Sequence, residues 1–338
     1  MHIFTNPNYD FLRWRWHAVA LSWIVILAGL FTIYTKGLPK GIEFAGGTSV
    51  IMQFDQTPSV EAVRGALNQN YPGGGQDAIV QTYGDPSLRQ VMVRVPTVGA
   101  EQGGSLNASA QNVENSLRKA NLGNFKVVGT EIVGPSVGQE LTQKGIWAFI
   151  LSLVGILAYI AFRFEFSFAA GAVIATLHDV LVTFAFLAFF RYDLSLNVIA
   201  ALLTVTGYST NDTIVIFDRV RENMRKMRRE SQNEIINLSI NQTLGRTVIT
   251  AGTALLSAIA LFLFGGEVLH GFAFTMIVGI ITGTYSSVFV AAAIVTFWRR
   301  TKPSKLSTAA PAAVATATTP ARAAASRKSK SQRKAKAS

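Results

Sequence analysis

Six apolar stretches limit what this chain of 338 residues can fold into. They lie at 18–35, 146–164, 168–190, 196–217, 247–264 and 271–298. Each is close to the ~20 residues an α-helix needs to cross a ~30 Å hydrocarbon core. Backbone polar groups in a bilayer must be satisfied within their own segment, so each stretch reads as a helix. A mean hydropathy of +0.32 is too apolar for an ordinary soluble domain. The first stretch does not read as a cleavable leader, because its apolar run is too long and no small-residue cleavage pattern follows it.

Charge sets an orientation. The formal net charge is +12, but from Arg299 to the end there are 11 Lys or Arg and no acid, which leaves +1 for the rest. The bulk of the chain is therefore not a nucleic-acid binder by charge. Arg13 and Arg15 precede the first stretch, Arg163 sits between the second and third, and six Lys or Arg lie in 219–229. By the positive-inside rule these loops are cytoplasmic, as are both termini. Trp14, Trp16 and Trp23 suit interfacial anchoring around the first stretch. With no cysteine, disulfides and thiolate sites are excluded. The expected division is a cytoplasmic lead (1–17), a first span (18–35), a periplasmic domain (36–145), five further spans (146–298) and a basic cytoplasmic tail (299–338). The tail has no aromatic or large aliphatic run, so it reads as disordered, with anionic lipid and ribosomal RNA as candidate partners.

The segment 36–145 alternates strand and helix patterns. EFAGGTSVIMQFD (43–55) reads as a strand, with Gly46 and Gly47 marking a bulge or close approach. Ser59 caps a helix over 59–70. DAIVQTYG and RQVMVRVP read as a hairpin, 106–121 as a second helix and 125–133 as a last strand. The order βαββαβ is that of a ferredoxin-like α+β sandwich. Gly134, Pro135 and Gly138 then suggest a capping turn or hinge. The expected fold is an α-helical membrane protein of six transmembrane helices, with this domain between the first and second.

Polar groups inside the spans carry the chemistry. Asp212 sits in 196–217, within GYSTNDT, and a charge at that depth costs roughly 2.5–3.5 kcal/mol on insertion scales. Intramembrane acids mark ion or proton pathways, so Asp212 and its neighbour Asn211 are candidates for proton transport. Gly207, Tyr208 and Ser209 open the same motif. His178–Asp179 lies ~16 Å into the third span. The alternatives are structural partnering for both acids. Arg246, at the threshold of the fifth span, can reach towards Asp212 and hold its charged form, or can simply be an interfacial cation. Gly279 and Gly283 form a GxxxG pair suited to close helix packing. No His, Cys and acid set has metal-site spacing, and no nucleophile or nucleotide motif is present, so no cofactor and no enzymatic site is expected.

Taken together, GYSTNDTIVIFDRVREN (207–223), EFAGGT (43–48), VGPSVGQEL (133–141), LHDV in the third span and TLGRTVITAGT (243–253) closely resemble the SecD/SecF family. These are membrane subunits of the bacterial protein-export machinery, within the resistance-nodulation-division superfamily. The resemblance covers about 12–298, and the motif departs from it at Thr210, where Leu is more usual. It implies a heterodimer with a SecD half and work beside the SecYEG channel, with YajC as a further partner. It also implies unfolded exported proteins as clients, and use of the proton-motive force with Asp212 and Arg246 in proton transport. A half-transporter exporting lipids or drugs and a passive scaffold are the rival readings.

Overall fold

The computed structural model describes residues 7–72, 74–76, 78–96, 103–163, 166–227 and 229–300. The basic tail expected over 299–338 lies outside the described residues beyond Arg300, and so does everything expected of it.

Helix α1 spans Phe11–Lys36 and is capped by Asp10, whose carboxylate accepts from the Arg13 N–H at 3.2 Å. Short α2 (Ile42–Ala45) follows, where the sequence pattern anticipates strand from residue 43. The glycines cause the difference. Gly46 ends α2 at φ 70° and Gly47 continues at φ 119°, conformations that L side chains rarely adopt. Strand β1 (Gly47–Phe54) therefore starts only there. A side chain at Gly47 would also run into the Val95 carbonyl.

Next come α3 (Val60–Asn70), β2 (Ile79–Tyr83), β3 (Gln90–Val95), α4 (Gly103–Lys119) and β4 (Phe125–Val133). The Ser59 hydroxyl caps α3 by accepting from the Ala62 N–H. The four strands form an antiparallel sheet in the order β2-β3-β1-β4. Alternation puts Val50, Met52 and Phe54 of β1 and Val91, Val93 and Val95 of β3 in one core with Val63 and Leu67 of α3 and Val113 and Leu117 of α4. The opposite sheet face buries Arg94, at 6 % exposure, and Met92.

Helix α5 (Pro135–Arg163) starts well before the apolar run, with Pro135 in its first turn, where no backbone N–H is needed. Gly138 thus lies in the helix rather than in a turn, and a Cβ there would sit 3.3 Å from the Gly46 nitrogen and the Phe44 carbonyl. The two glycine motifs are one packing contact between α2 and α5.

The remaining helices are α6 (Phe166–Phe189), α7 (Leu196–Lys226), α8 (Gln232–Phe264), α9 (Glu267–Ser286), a π-helical turn (Ser287–Ala291) and α10 (Ala292–Arg300). Among the described residues, five helical runs are long and apolar enough to cross a membrane: α1, α5, 168–189 of α6, α8, and 268–296 from α9 to α10. This is an α-helical membrane protein. α7 falls outside that set because its middle is rich in Thr, Ser, Asn and Asp. At 31 residues it is nonetheless ~46 Å long and packs between α6, α8 and α9. Its buried face, with Phe217 and Ile216, joins Phe168, Ala172, Ile240, Ala291 and Val295 in the main helical core.

The loop between α6 and α7 grips the root of the α+β domain. Arg94 of β3 ion-pairs with Asp193 at 2.8 Å and donates to the Lys40 carbonyl at 2.8 Å. The Leu194 N–H donates to the Pro39 carbonyl, and the Gly41 N–H to the Leu194 carbonyl. Arg191 donates to the Lys36 and Gly37 carbonyls at 3.1 and 3.0 Å.

Candidate functional site

α6 and α7 bring two acids into the helical bundle. Asp179 is 1 % exposed and Asp212 is 7 % exposed. Burial of an acid in a bundle demands hydrogen bonds or a counter-charge. Here hydroxyls answer. Asp179 Oδ2 accepts from Ser209 Oγ of α7 at 2.5 Å and from Ser286 Oγ at the end of α9 at 2.7 Å. Asp212 Oδ1 accepts from Thr247 Oγ1 of α8 at 2.7 Å, and its Oδ2 from Ser287 Oγ at 2.8 Å. The two shells meet at adjacent serines, so four helical segments converge on one polar cluster.

His178 Nδ1 lies 3.0 Å from Asp179 Oδ1, so the neighbouring residue on the same helix reaches the acid. Thr210, the departure from the motif, is buried and shares a 3.3 Å contact with Thr176 of α6. Ser209 serves as a donor, while Gly207 is exposed and Tyr208 half-buried. Asn211 is exposed while Asp212 is buried, so adjacent residues of one motif fall on different faces of α7.

Arg246 is not among the partners of Asp212. Among the described residues no ion pair joins them, and the side chain that reaches the acid from α8 is the next one, Thr247. Arg246 instead lines an open cleft at the far end of the bundle from the α+β domain, with Arg163, Asp218, Arg219, Glu222 and Gln242. There Glu222 accepts from Lys226 and Arg219, and those bonds hold its carboxyl below the usual value, the Lys226 bond most strongly.

Close packing makes the cluster possible. A Cβ on Gly283 of α9 would lie 2.9 Å from the Ser209 Cβ, and one on Gly279 would collide with Val205. The GxxxG pair therefore sets the α7–α9 distance, and with it the reach of Ser286 and Ser287. Thr247, Ser286 and Ser287 are functional candidates that the sequence reading missed. Their only signal is a run of hydroxyls (Thr282, Thr284, Tyr285, Ser286 and Ser287) within the last apolar stretch, and a Thr directly after Arg246. No group of three or more His, Cys or acids is placed to hold a metal among the described residues.

Fold and site together define a helical membrane protein with a small α+β domain and two hydroxyl-bound acids inside its bundle. Residues 112–301 match the family model described as protein export membrane protein SecD/SecF, C-terminal, and 31–58 match the SecD/SecF GG motif. The chain is 41 % identical over 286 residues to the protein translocase subunit SecF of Escherichia coli O157:H7, covering 85 % of this chain and 86 % of that one. It is 43 % identical over 289 residues to the corresponding subunit of Vibrio alginolyticus, covering 86 % and 89 %. Its structure superposes on that of SecDF, a translocon-associated membrane protein from Thermus, with a TM-score of 0.76 and 33 % identity. That match covers 87 % of this chain and 39 % of the other, so the chain spans about two fifths of the solved SecDF chain. The chain belongs to the SecD/SecF family of protein-export membrane proteins.

Proposed function

We propose that the chain is the SecF-type subunit of the Sec translocase, a non-enzymatic component that uses the proton-motive force to assist protein export in partnership with a SecD-type half. The observation that carries this reading is the pair of buried acids held by hydroxyls. Asp212 has Thr247 and Ser287 as its hydrogen-bond partners, and among the described residues no Lys or Arg forms an ion pair with it. An intramembrane carboxylate with such a shell is a functional group by default, and proton binding is its simplest chemistry. The family and the named relatives supply the setting.

Several finer features belong to the same reading. α7 acts as a sixth span despite its polar middle, since it exceeds the bilayer in length and has α6, α8 and α9 around it. The α+β domain is of ferredoxin-like type and faces the periplasm, with both chain ends in the cytoplasm of an inner-membrane protein. The working partners are then the SecYEG channel, YajC and unfolded exported proteins, with lipids around the helices and the tail available to lipid or ribosome. Asp179 and His178 form a second proton-binding position, and Arg246 is the cation that meets the partner half. The rival reading, a half-transporter of lipids or drugs, has no feature of the site in its favour.

The test is export of a secretory precursor into inverted membrane vesicles carrying the full-length chain and its partner, with ATP present and the proton gradient varied. Asp212→Asn keeps the shape and removes the titratable group. Its vesicles should retain the ATP-driven rate and lose the increment that the gradient adds. A full gradient response from this variant makes Asp212 structural and ends the proton-coupled reading.

A further inference from the structure

Two consecutive hydroxyls stand where α9 passes into the π turn, and each faces a different acid. Ser286 Oγ lies 2.7 Å from Asp179 Oδ2 and 3.2 Å from the Gly283 carbonyl. Ser287 Oγ lies 2.8 Å from Asp212 Oδ2 and 3.0 Å from the Thr284 carbonyl. Both serines are fully buried. We propose that Ser286 and Ser287 are positioning residues that let Asp179 and Asp212 change protonation inside the bundle, and that the π turn couples the two acids through them. This rests on the proton-coupled reading above and names residues it does not contain.

The chemistry follows from counting hydrogens. A serine hydroxyl has one hydrogen to give and lone pairs to accept with. Opposite an ionised carboxylate, the hydrogen of Ser287 points at Asp212 Oδ2. When Asp212 takes up a proton, its new O–H needs an acceptor. The Ser287 oxygen can accept it if its own hydrogen swings to the Thr284 carbonyl, which is already in range. Ser286 has the same choice between Asp179 and the Gly283 carbonyl. In neither state is the serine hydroxyl or the acid's own O–H left unpaired, which would cost about 1–3 kcal/mol. The other groups near the acids are His178 and Ser209 at Asp179, and Thr247 and the Tyr208 phenol at Asp212.

Coupling comes from the backbone. The hydroxyls belong to neighbouring residues at the mouth of a single π turn. Such turns hold one residue more than an α turn and recur at functional sites. A rotation of this turn that follows one acid must displace the hydroxyl serving the other.

The experiment uses the same vesicles with Ser286→Ala, Ser287→Ala and Ser287→Thr beside wild type and Asp212→Asn, each checked for insertion and for co-purification of the partner. Each Ala variant should keep the ATP-driven rate and lose about tenfold of the gradient-driven increment, the effect of one lost hydrogen bond to a charged group. Ser287→Thr, which keeps the hydroxyl, should restore the response. Full response in both Ala variants, with Asp212→Asn still defective, overturns the inference and leaves proton coupling standing. Equal loss in Ser287→Ala and Ser287→Thr also overturns it, since side-chain volume rather than the hydroxyl would then matter. If Asp212→Asn itself responds fully, the proton reading and this inference fall together.

Discussion

Gly283 is the position on which the acid cluster is closed. A methyl there would stand 2.9 Å from the Ser209 Cβ and 3.2 Å from its Oγ, the hydroxyl that donates to Asp179. Ser209 cannot give way without leaving a buried acid short of a donor. Gly283→Ala should therefore behave as an overpacked variant, destabilised by about 1–3 kcal/mol. Gly155 of α5, with nothing within 4 Å of an added Cβ, is the matched control and should tolerate Ala. Thermal denaturation midpoints in detergent decide between them. A wild-type midpoint for Gly283→Ala means that α9 moves aside at no cost. The two acids were legible in the sequence because a carboxylate in an apolar run is rare. Their partners were not, because Ser and Thr in membrane helices usually bond back to their own helix, as Thr282 and Thr253 do here.

At the scale of elements, hydropathy marked where the helices are and not how long they run. α8 begins at Gln232, fifteen residues ahead of its apolar run, because its first turns are amphipathic rather than apolar. The capping box between Ser231 and Glu234 was the local signal for that start. Depth in the sequence brings Arg246 within reach of Asp212, whereas the direction each residue faces depends on helix rotation, which depth does not encode. The α6–α7 loop links the helices bearing both acids to the α+β domain. Its Arg94–Asp193 pair is largely buried, with side chains 8 % and 21 % exposed. Breaking such a pair by removing one partner costs on the order of 3–5 kcal/mol, since a charge is left alone in a poorly solvated place. Arg94→Glu and Asp193→Arg should each loosen the domain root and speed its proteolysis in membranes, and the double exchange should recover much of the protection. If the double variant is cleaved as fast as either single one, the pair is not what holds the domain.

At the scale of the whole molecule, one side of the bundle exposes a row of polar and small residues. Thr204, Gly207 and Asn211 of α7 are exposed at helical spacing, and so are Arg246, Thr250, Thr253 and Ser257 of α8. Residues three and four apart share a helix face, so the two packed helices present one polar ridge running down the bundle. The threonine and serine hydroxyls on α8 are satisfied by their own backbone, Thr250 on Arg246, Thr253 on Ile249 and Ser257 on Thr253. Asn211 and Arg246 face outward beside them, where lipid would be a costly neighbour. Small hydroxylated residues instead suit close contact with other membrane helices. α5 turns large apolar side chains such as Leu151 and Phe162 outwards, as a lipid-facing helix does, and α8 does the same away from the ridge at Leu256 and Leu263. The ridge is therefore where the SecD-type half should seat. Thr253→Trp puts bulk into that seam at a cost of about 1–3 kcal/mol. Partner recovered by co-purification should fall on the order of tenfold, a factor that corresponds to ~1.4 kcal/mol. Leu151→Trp on α5 should leave recovery unchanged, and both variants should insert normally. Equal recovery for the two variants would place the partner elsewhere and leave the ridge against lipid.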